Sequence, residues 1–157
     1  MEDAEINRLL SIGKHISNPR ARRIEKRGSI QVNYEAVASS GEQFRVYVRQ
    51  NMRIPDGFSC GLLYVPVSGE TVTLARYNGS DHEHTNPLES GSAIRFKCHI
   101  HRATARYIEA GRKAEHFAET TERYRELEGA LQALLHDCNI TGLEDPTMEP
   151  DPQMALL

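Results

Sequence analysis

The chain has no tryptophan and only three cysteines, and nowhere does it run long in apolar residues. Each absence narrows the reading. Without a C-x-x-C pair, and with Cys60, Cys98 and Cys138 odd in number and far apart, neither a disulfide framework nor a thiolate zinc site is indicated. They read as reduced core thiols of a cytoplasmic protein. No stretch is long and apolar enough for a membrane span, and no basic-then-apolar leader precedes the domain, so no membrane partner is expected. Walker loop, G-x-G-x-x-G, H-E-x-x-H and G-x-S-x-G signatures are all missing.

What is present is one domain's worth of chain. At 157 residues it can build a core without staples, and 39% hydrophobic content makes that core modest. The net charge of -3 argues against a wholly basic nucleic-acid-binding surface. The charges are segregated, however: basic residues crowd Arg20 to Arg27 and Arg95 to Lys113, and acids crowd the tail from Glu144. Local fields outweigh that sum.

Periodicity gives the order of elements. A helical stripe with acids at its start predicts a first helix over residues 2 to 17, stopped by Asn18-Pro19. The basic run to Gly28 reads as a connector. From Ser29 the period becomes two: Ile30, Val32, Tyr34 and Ala36 form one strand, and Phe44, Val46 and Val48 the next, with Arg45, Tyr47 and Arg49 on its outer side. Pro55-Asp56-Gly57 turns into a strand over 60–67, where Pro66 marks a terminus, and Ser68-Gly69 into another over 71–77. A long polar loop to Gly91 follows, then an alternating strand from Ala93 to Arg102, a short helical turn that Gly111 ends, and a long helix capped by Thr120 or Thr121. The resulting expectation is an α+β fold: an antiparallel sheet of about five strands in a meander, its inner face covered by an N-terminal and a C-terminal helix. Residues 1–142 make the single domain, and 143–157 a disordered acidic tail.

The strand from Ala93 organises the functional reading. Ile94, Phe96, Cys98 and Ile100 fall on one face; Arg95, Lys97, His99 and His101 fall on the other, and Arg102 and Arg106 follow. With His82 and His84 in the loop before it, four of the seven histidines lie within twenty residues of sequence. Three readings compete. In the first, His99 and His101, about 7 Å apart on an exposed sheet face, are acid and base in RNA cleavage, helped by His84, while Arg102, Arg106 or Arg76 holds phosphate. That scheme needs no metal or other cofactor. Arg45, Tyr47, Arg49, Asn86, Arg95, Lys97 and Tyr107 then complete the RNA-binding surface, with Tyr47 and Tyr107 stacking on bases. In the second, His82-x-His84 and His99-x-His101 converge on a transition metal, against which the adjacent cations argue. In the third, the histidines are surface residues tolerated on a wet strand. His15, His116 and His136 read as surface or helix-end residues.

Around these residues the order Arg76-Tyr77-Asn78-Gly79, His84-x-Asn86-Pro87, His99-Ile100-His101 and Cys138-Asn139-Ile140 resembles a family of small bacterial proteins with an uncharacterised domain. The resemblance covers residues 30 to 140. It implies that His84, Asn86, His99 and His101 belong to a defining pattern, and it carries no activity. The strand-and-helix plan is also similar to that of small bacterial ribonuclease toxins. The functional expectation is an RNA-binding, metal-independent endoribonuclease, compatible with the toxin of a toxin–antitoxin pair and so with an antitoxin partner, and compatible with a homodimer. The alternative is a non-enzymatic RNA-binding or partner-binding protein using the same basic face.

Overall fold

The computed structural model describes residues 1–89 and 93–143. In chain order the elements are α1 (Asp3–Ser11), β1 (Lys14–Ile16), β2 (Arg23–Lys26), β3 (Ser29–Ala38), β4 (Gln43–Asn51), β5 (Phe58–Val65), β6 (Val72–Asn78), β7 (Glu83–Thr85), β8 (Ala93–Arg95), β9 (His99–Arg102), α2 (Ala105–Glu109), β10 (Ala118–Thr120), α3 (Leu127–Asp137) and β11 (Ile140–Thr141). The α+β class holds. The five-strand meander does not: among the described residues there is one nine-stranded sheet in the order β10-β9-β6-β5-β4-β3-β1-β11, with β2 also on β3, and a separate β7-β8 pair. The sheet is mixed, because β1 and β11 run parallel.

The central strands β3 to β6 follow the two-residue period, and each strand sends alternate side chains to opposite faces. On one face lie Val32, Phe44, Val46, Val48, Cys60, Leu62, Ala75 and Tyr77, all buried. That face is covered by Ile6 and Leu9 of α1 and by Ala130, Leu131 and Leu134 of α3, which joins it in one core. Both helices are shorter than their apolar stripes suggest. The first ends at Ser11, since Lys14–Ile16 gains two strand neighbours, β3 and β11, by extending. The last begins at Leu127, because Ala118–Thr120 pairs with β9 and Tyr124, ahead of the helix, uses its hydroxyl to bond the carbonyl of Asn78 at 2.9 Å.

Two further expectations are corrected. The basic connector is in part a strand: Arg27 and Gly28, both at positive φ (53° and 80°), make the tight turn that folds β2 back along β3. The strand expected from Ala93 to Arg102 is two strands. Phe96 takes a left-handed φ of 50°, the chain turns through Phe96–Cys98, and β8 pairs with β7 while β9 joins the main sheet between β6 and β10. The tail expectation lies, from residue 144 onward, outside the described residues. Among the described residues no helix is long and apolar enough to cross a membrane.

Candidate functional site

The second face of the sheet is polar. Register places Gln31, Asn33 and Glu35 of β3, Arg45, Tyr47 and Arg49 of β4, Ser59 and Gly61 of β5, Arg76 and Asn78 of β6, and His99 and His101 of β9 on it. Arg76 stands opposite His101, and Asn78 opposite His99. Strand parity thus puts the two histidines together, as expected, and puts Arg102 elsewhere: it shares a face with Ile100 and Tyr77. Arg102 is therefore displaced from the phosphate-holding role beside these rings.

The histidines are not on a wet surface. His99 is fully buried and His101 is 5% exposed. The cover comes from two segments that sequence periodicity does not mark. One is the loop around β7, which brings His82, His84 and Asn86. The other is the segment between α2 and β10, which brings Arg112, Lys113, Glu115 and His116. Asn86 joins them: its amide donates to the carbonyl of Ala118 at 2.7 Å and accepts from the Ala118 N–H at 2.9 Å, so one side chain pairs with the β10 backbone as a strand would. Asn86 is buried and serves this pairing rather than an RNA surface.

Five imidazoles result. Ring centroids lie 4.7 Å apart for His84 and His101, 4.9 Å for His82 and His99, 5.0 Å for His99 and His101, 5.1 Å for His84 and His116, and 5.8 Å for His84 and His99. The carbonyl partners settle two tautomers. Nδ1 of His99 donates to the carbonyl of Lys97 (2.8 Å) and Nδ1 of His101 to that of Glu115 (2.9 Å), so Nε2 is the acceptor in each neutral ring. His84 is reversed. Its Nε2–H faces Oδ1 of Asn86 at 3.0 Å. His82 is exposed, and its Nδ1 pairs with Asp81 at 2.8 Å. Burial, reinforced by neighbouring imidazoles, holds His101 down to about 3, with Arg76 adding to the effect. Burial lowers His99 and His84 as well. These three rings are neutral near pH 7.

A pocket of about 440 Å³ opens over the cluster, lined by His82, His84, His101, His116, Arg76 and Asn78, with Arg112 and Lys113 at its edge. Arg76, Asn78 and His82 also line an adjoining cleft of about 550 Å³, which extends over the sheet to Tyr47, Arg49 and Gln31. Tyr47 lies against Gly61, where a Cβ would come within 2.6 Å of the ring. Nε2 of His101, Oδ1 of Asn78 and Nε of Arg76 are buried without a hydrogen-bond partner among the described residues. The remaining guanidinium of Arg76 pairs with Glu115. Among the described residues no three His, Cys, Asp or Glu side chains are grouped to hold a metal ion.

The other expected contacts separate. Tyr107 is buried, its hydroxyl bonded to Glu89 and its ring 5.3 Å from His116, so it cannot stack on a base. Arg106 pairs with Glu89 at 2.9 Å, and Arg45 with Glu35 at 3.2 Å. Arg95 and Lys97 are exposed, but they sit on β8 and the following turn rather than beside His99. His116 gains the company it lacks in sequence, and with Arg112, Lys113 and Glu115 it is what sequence reading missed; His82, read there as a candidate metal ligand, joins the same cluster. A usable signal exists: Gly111-Arg-Lys-Ala-Glu-His116 packs basic, acidic and imidazole groups into a stretch with no period.

Comparison with protein-family models, with curated proteins and with solved structures gives no match.

Proposed function

We propose that this protein binds RNA in the cleft over its open sheet face and cleaves it by proton transfer between imidazoles. The observation that supports this reading is the five-ring cluster beneath one pocket, continuous with a cleft that carries Arg49, Arg76 and Tyr47. Single histidines are commonly structural; five in ring contact beside guanidinium groups are a poor core and a good proton-transfer site.

The rings divide by exposure. His82 and His116 face the pocket, and neither ring is buried. His116 takes the proton of the ribose 2′-hydroxyl as its oxygen attacks the adjacent phosphorus. The bond from phosphorus to the 5′-oxygen breaks, and that oxygen takes a proton from His82, oriented through Nδ1 by Asp81. The products are a 2′,3′-cyclic phosphate and a 5′-hydroxyl. Arg112 and Lys113 at the pocket edge supply positive charge to the phosphate oxygens. His84, His99 and His101, neutral and held by fixed partners, set the positions of the outer pair. This reading moves the acid and base from the buried His99 and His101 to His82 and His116, which are not buried.

The test is RNA incubated with purified protein in excess EDTA. Expected are fragments ending in cyclic phosphate and losses of at least about 100-fold in His82→Ala and His116→Ala. Intact RNA with the wild type, or an unchanged rate in both variants, removes the proposal.

A second reading, RNA binding without cleavage, is favoured by the burial of His99 and the low proton affinity of His101. It expects salt-sensitive binding that survives loss of His82 and His116 and fails when Arg49 and Arg76 are replaced. A cytoplasmic toxin restrained by an antitoxin is the cellular role the cleavage reading fits; expression of wild type but not His116→Ala would then arrest growth.

A further inference from the structure

Three buried polar atoms at one place lack partners among the described residues: Nε2 of His101, Oδ1 of Asn78 and Nε of Arg76. All three residues line the pocket over the imidazoles, and all three share a face, Arg76 opposite His101 and Asn78 two residues further along β6. Their hydrogen-bonding sense follows from their neighbours. The carbonyl of Glu115 takes the Nδ1 proton of His101, which leaves Nε2 an acceptor. The carbonyl of Lys97 does the same for His99, and the Nε2 of His99 faces Nδ2 of Asn78 at 3.5 Å, so the amide turns its nitrogen to His99 and its oxygen away. Nε of Arg76 can only donate. Leaving such groups unsatisfied is costly, and a set of them invites a complementary ligand.

The set asks for two separate donors and one acceptor. We propose that Arg76, Asn78 and His101 form a guanine-recognition subsite. This deepens the RNA reading above and rests on it. Guanine offers N1–H and N2–H as donors on two different nitrogens, with O6 as acceptor beside them. Uracil has one donor, cytosine and adenine carry theirs on one exocyclic nitrogen, and a guanidinium or ammonium ligand has no acceptor and meets Arg76. N2–H goes to Oδ1 of Asn78 and N1–H to Nε2 of His101, and O6 receives the Arg76 Nε–H. Tyr47 and Arg49 in the adjoining cleft lie where the rest of the nucleotide extends.

Equilibrium binding of the four ribonucleoside 5′-monophosphates to the wild-type protein tests this, with inosine 5′-monophosphate as a fifth ligand. Guanosine monophosphate binds tightest, and inosine monophosphate, which lacks the N2 amine, binds about tenfold more weakly, the factor one buried hydrogen bond commands. Asn78→Ala removes the difference between the two. Equal binding of all five, binding of none, or an unchanged guanosine-to-inosine ratio in a folded Asn78→Ala overturns the subsite. The cleavage assay is separate: guanine preference without cleavage leaves the subsite standing and removes the nuclease, and cleavage without guanine preference does the reverse.

Discussion

His101 of β9 and Glu115, in the segment before β10, are joined through the imidazole Nδ1–H and the Glu115 carbonyl at 2.9 Å, while the Glu115 carboxylate reaches Arg76 on the neighbouring strand β6. The same residue therefore neutralises the cation beside the ring and keeps the ring in one tautomer. Burial and the neighbouring imidazoles outweigh that support, and the ring stays neutral.

The pH dependence of stability follows. His101 is held down to about 3, and His99 and His84 are lowered too, whereas in the unfolded chain all three return to roughly 6.5. Below that value the unfolded state binds more protons than the native one, so stability falls as pH drops from about 6.5 toward 3 and is fully present above 6.5. Replacing His101 by Gln, whose amide can still donate to Glu115, removes one of these titrations. Urea denaturation at pH 7, 6, 5 and 4 should show the slope between pH 5 and 6 reduced by roughly 1 kcal/mol per pH unit. Parallel curves for the two proteins would show that His101 titrates normally.

Asn86 offers a second test, because its amide satisfies both backbone groups of Ala118 and also orients His84. Asn86→Ala leaves two buried backbone groups unpaired and should cost about 2–4 kcal/mol in chemical denaturation. Asn86→Asp keeps the acceptor for Ala118 N–H and His84 but loses the donor, and should fall between the two. Hydrogen exchange at the Ala118 amide reports it directly: protection survives in Asp and not in Ala.

How far the sequence reveals this arrangement differs by element. Strands β3 to β6 are legible, since Ile30 to Ala36 and Phe44 to Val48 alternate against polar partners on a half-buried sheet. The pairing of His99 with His101 on one face is legible for the same reason. Their burial is not, because the cover is supplied by Asn86 and Glu115, whose approach depends on non-local contacts that leave no period. Strand β2 reads as a linker because an edge strand of Arg23, Glu25 and Lys26 with only Ile24 apolar has no hydrophobic alternation to show. Extending the β9 stripe back to Arg95 fails at Phe96, whose left-handed φ no pattern of apolar residues announces.

Lys14 makes a third prediction. Its side chain is buried with Nζ on three carbonyls, Leu10 at 3.0 Å, Ile12 at 2.8 Å and Cys138 at 2.8 Å, and over the Phe44 ring at 4.9 Å. One ammonium thus closes the C-terminal ends of α1 and α3 together, where helix carbonyls lack partners. Burial lowers its proton affinity to about 8. Lys14→Met keeps the stem and removes the donors, and should destabilise by about 2–4 kcal/mol, seen as a lower urea midpoint at unchanged slope. A change within 0.5 kcal/mol would mean that water reaches those carbonyls in the variant.

Gly61 links packing to the cleft. A Cβ there would meet the Tyr47 ring at 2.6 Å and the Ala75 carbonyl at 2.7 Å, and the second of these is backbone of the adjacent strand. Gly61→Ala therefore cannot be relieved by turning Tyr47 alone; β5 and β6 must part, at a cost of about 1–3 kcal/mol. Tyr47 and Arg76 border the cleft, so the same substitution should weaken RNA binding more than it weakens folding at 25 °C. Val46→Ala supplies the control: it removes core methyl groups on the opposite face and should cost comparable stability while leaving RNA affinity unchanged. Equal losses of affinity in the two variants would place RNA elsewhere than on this face.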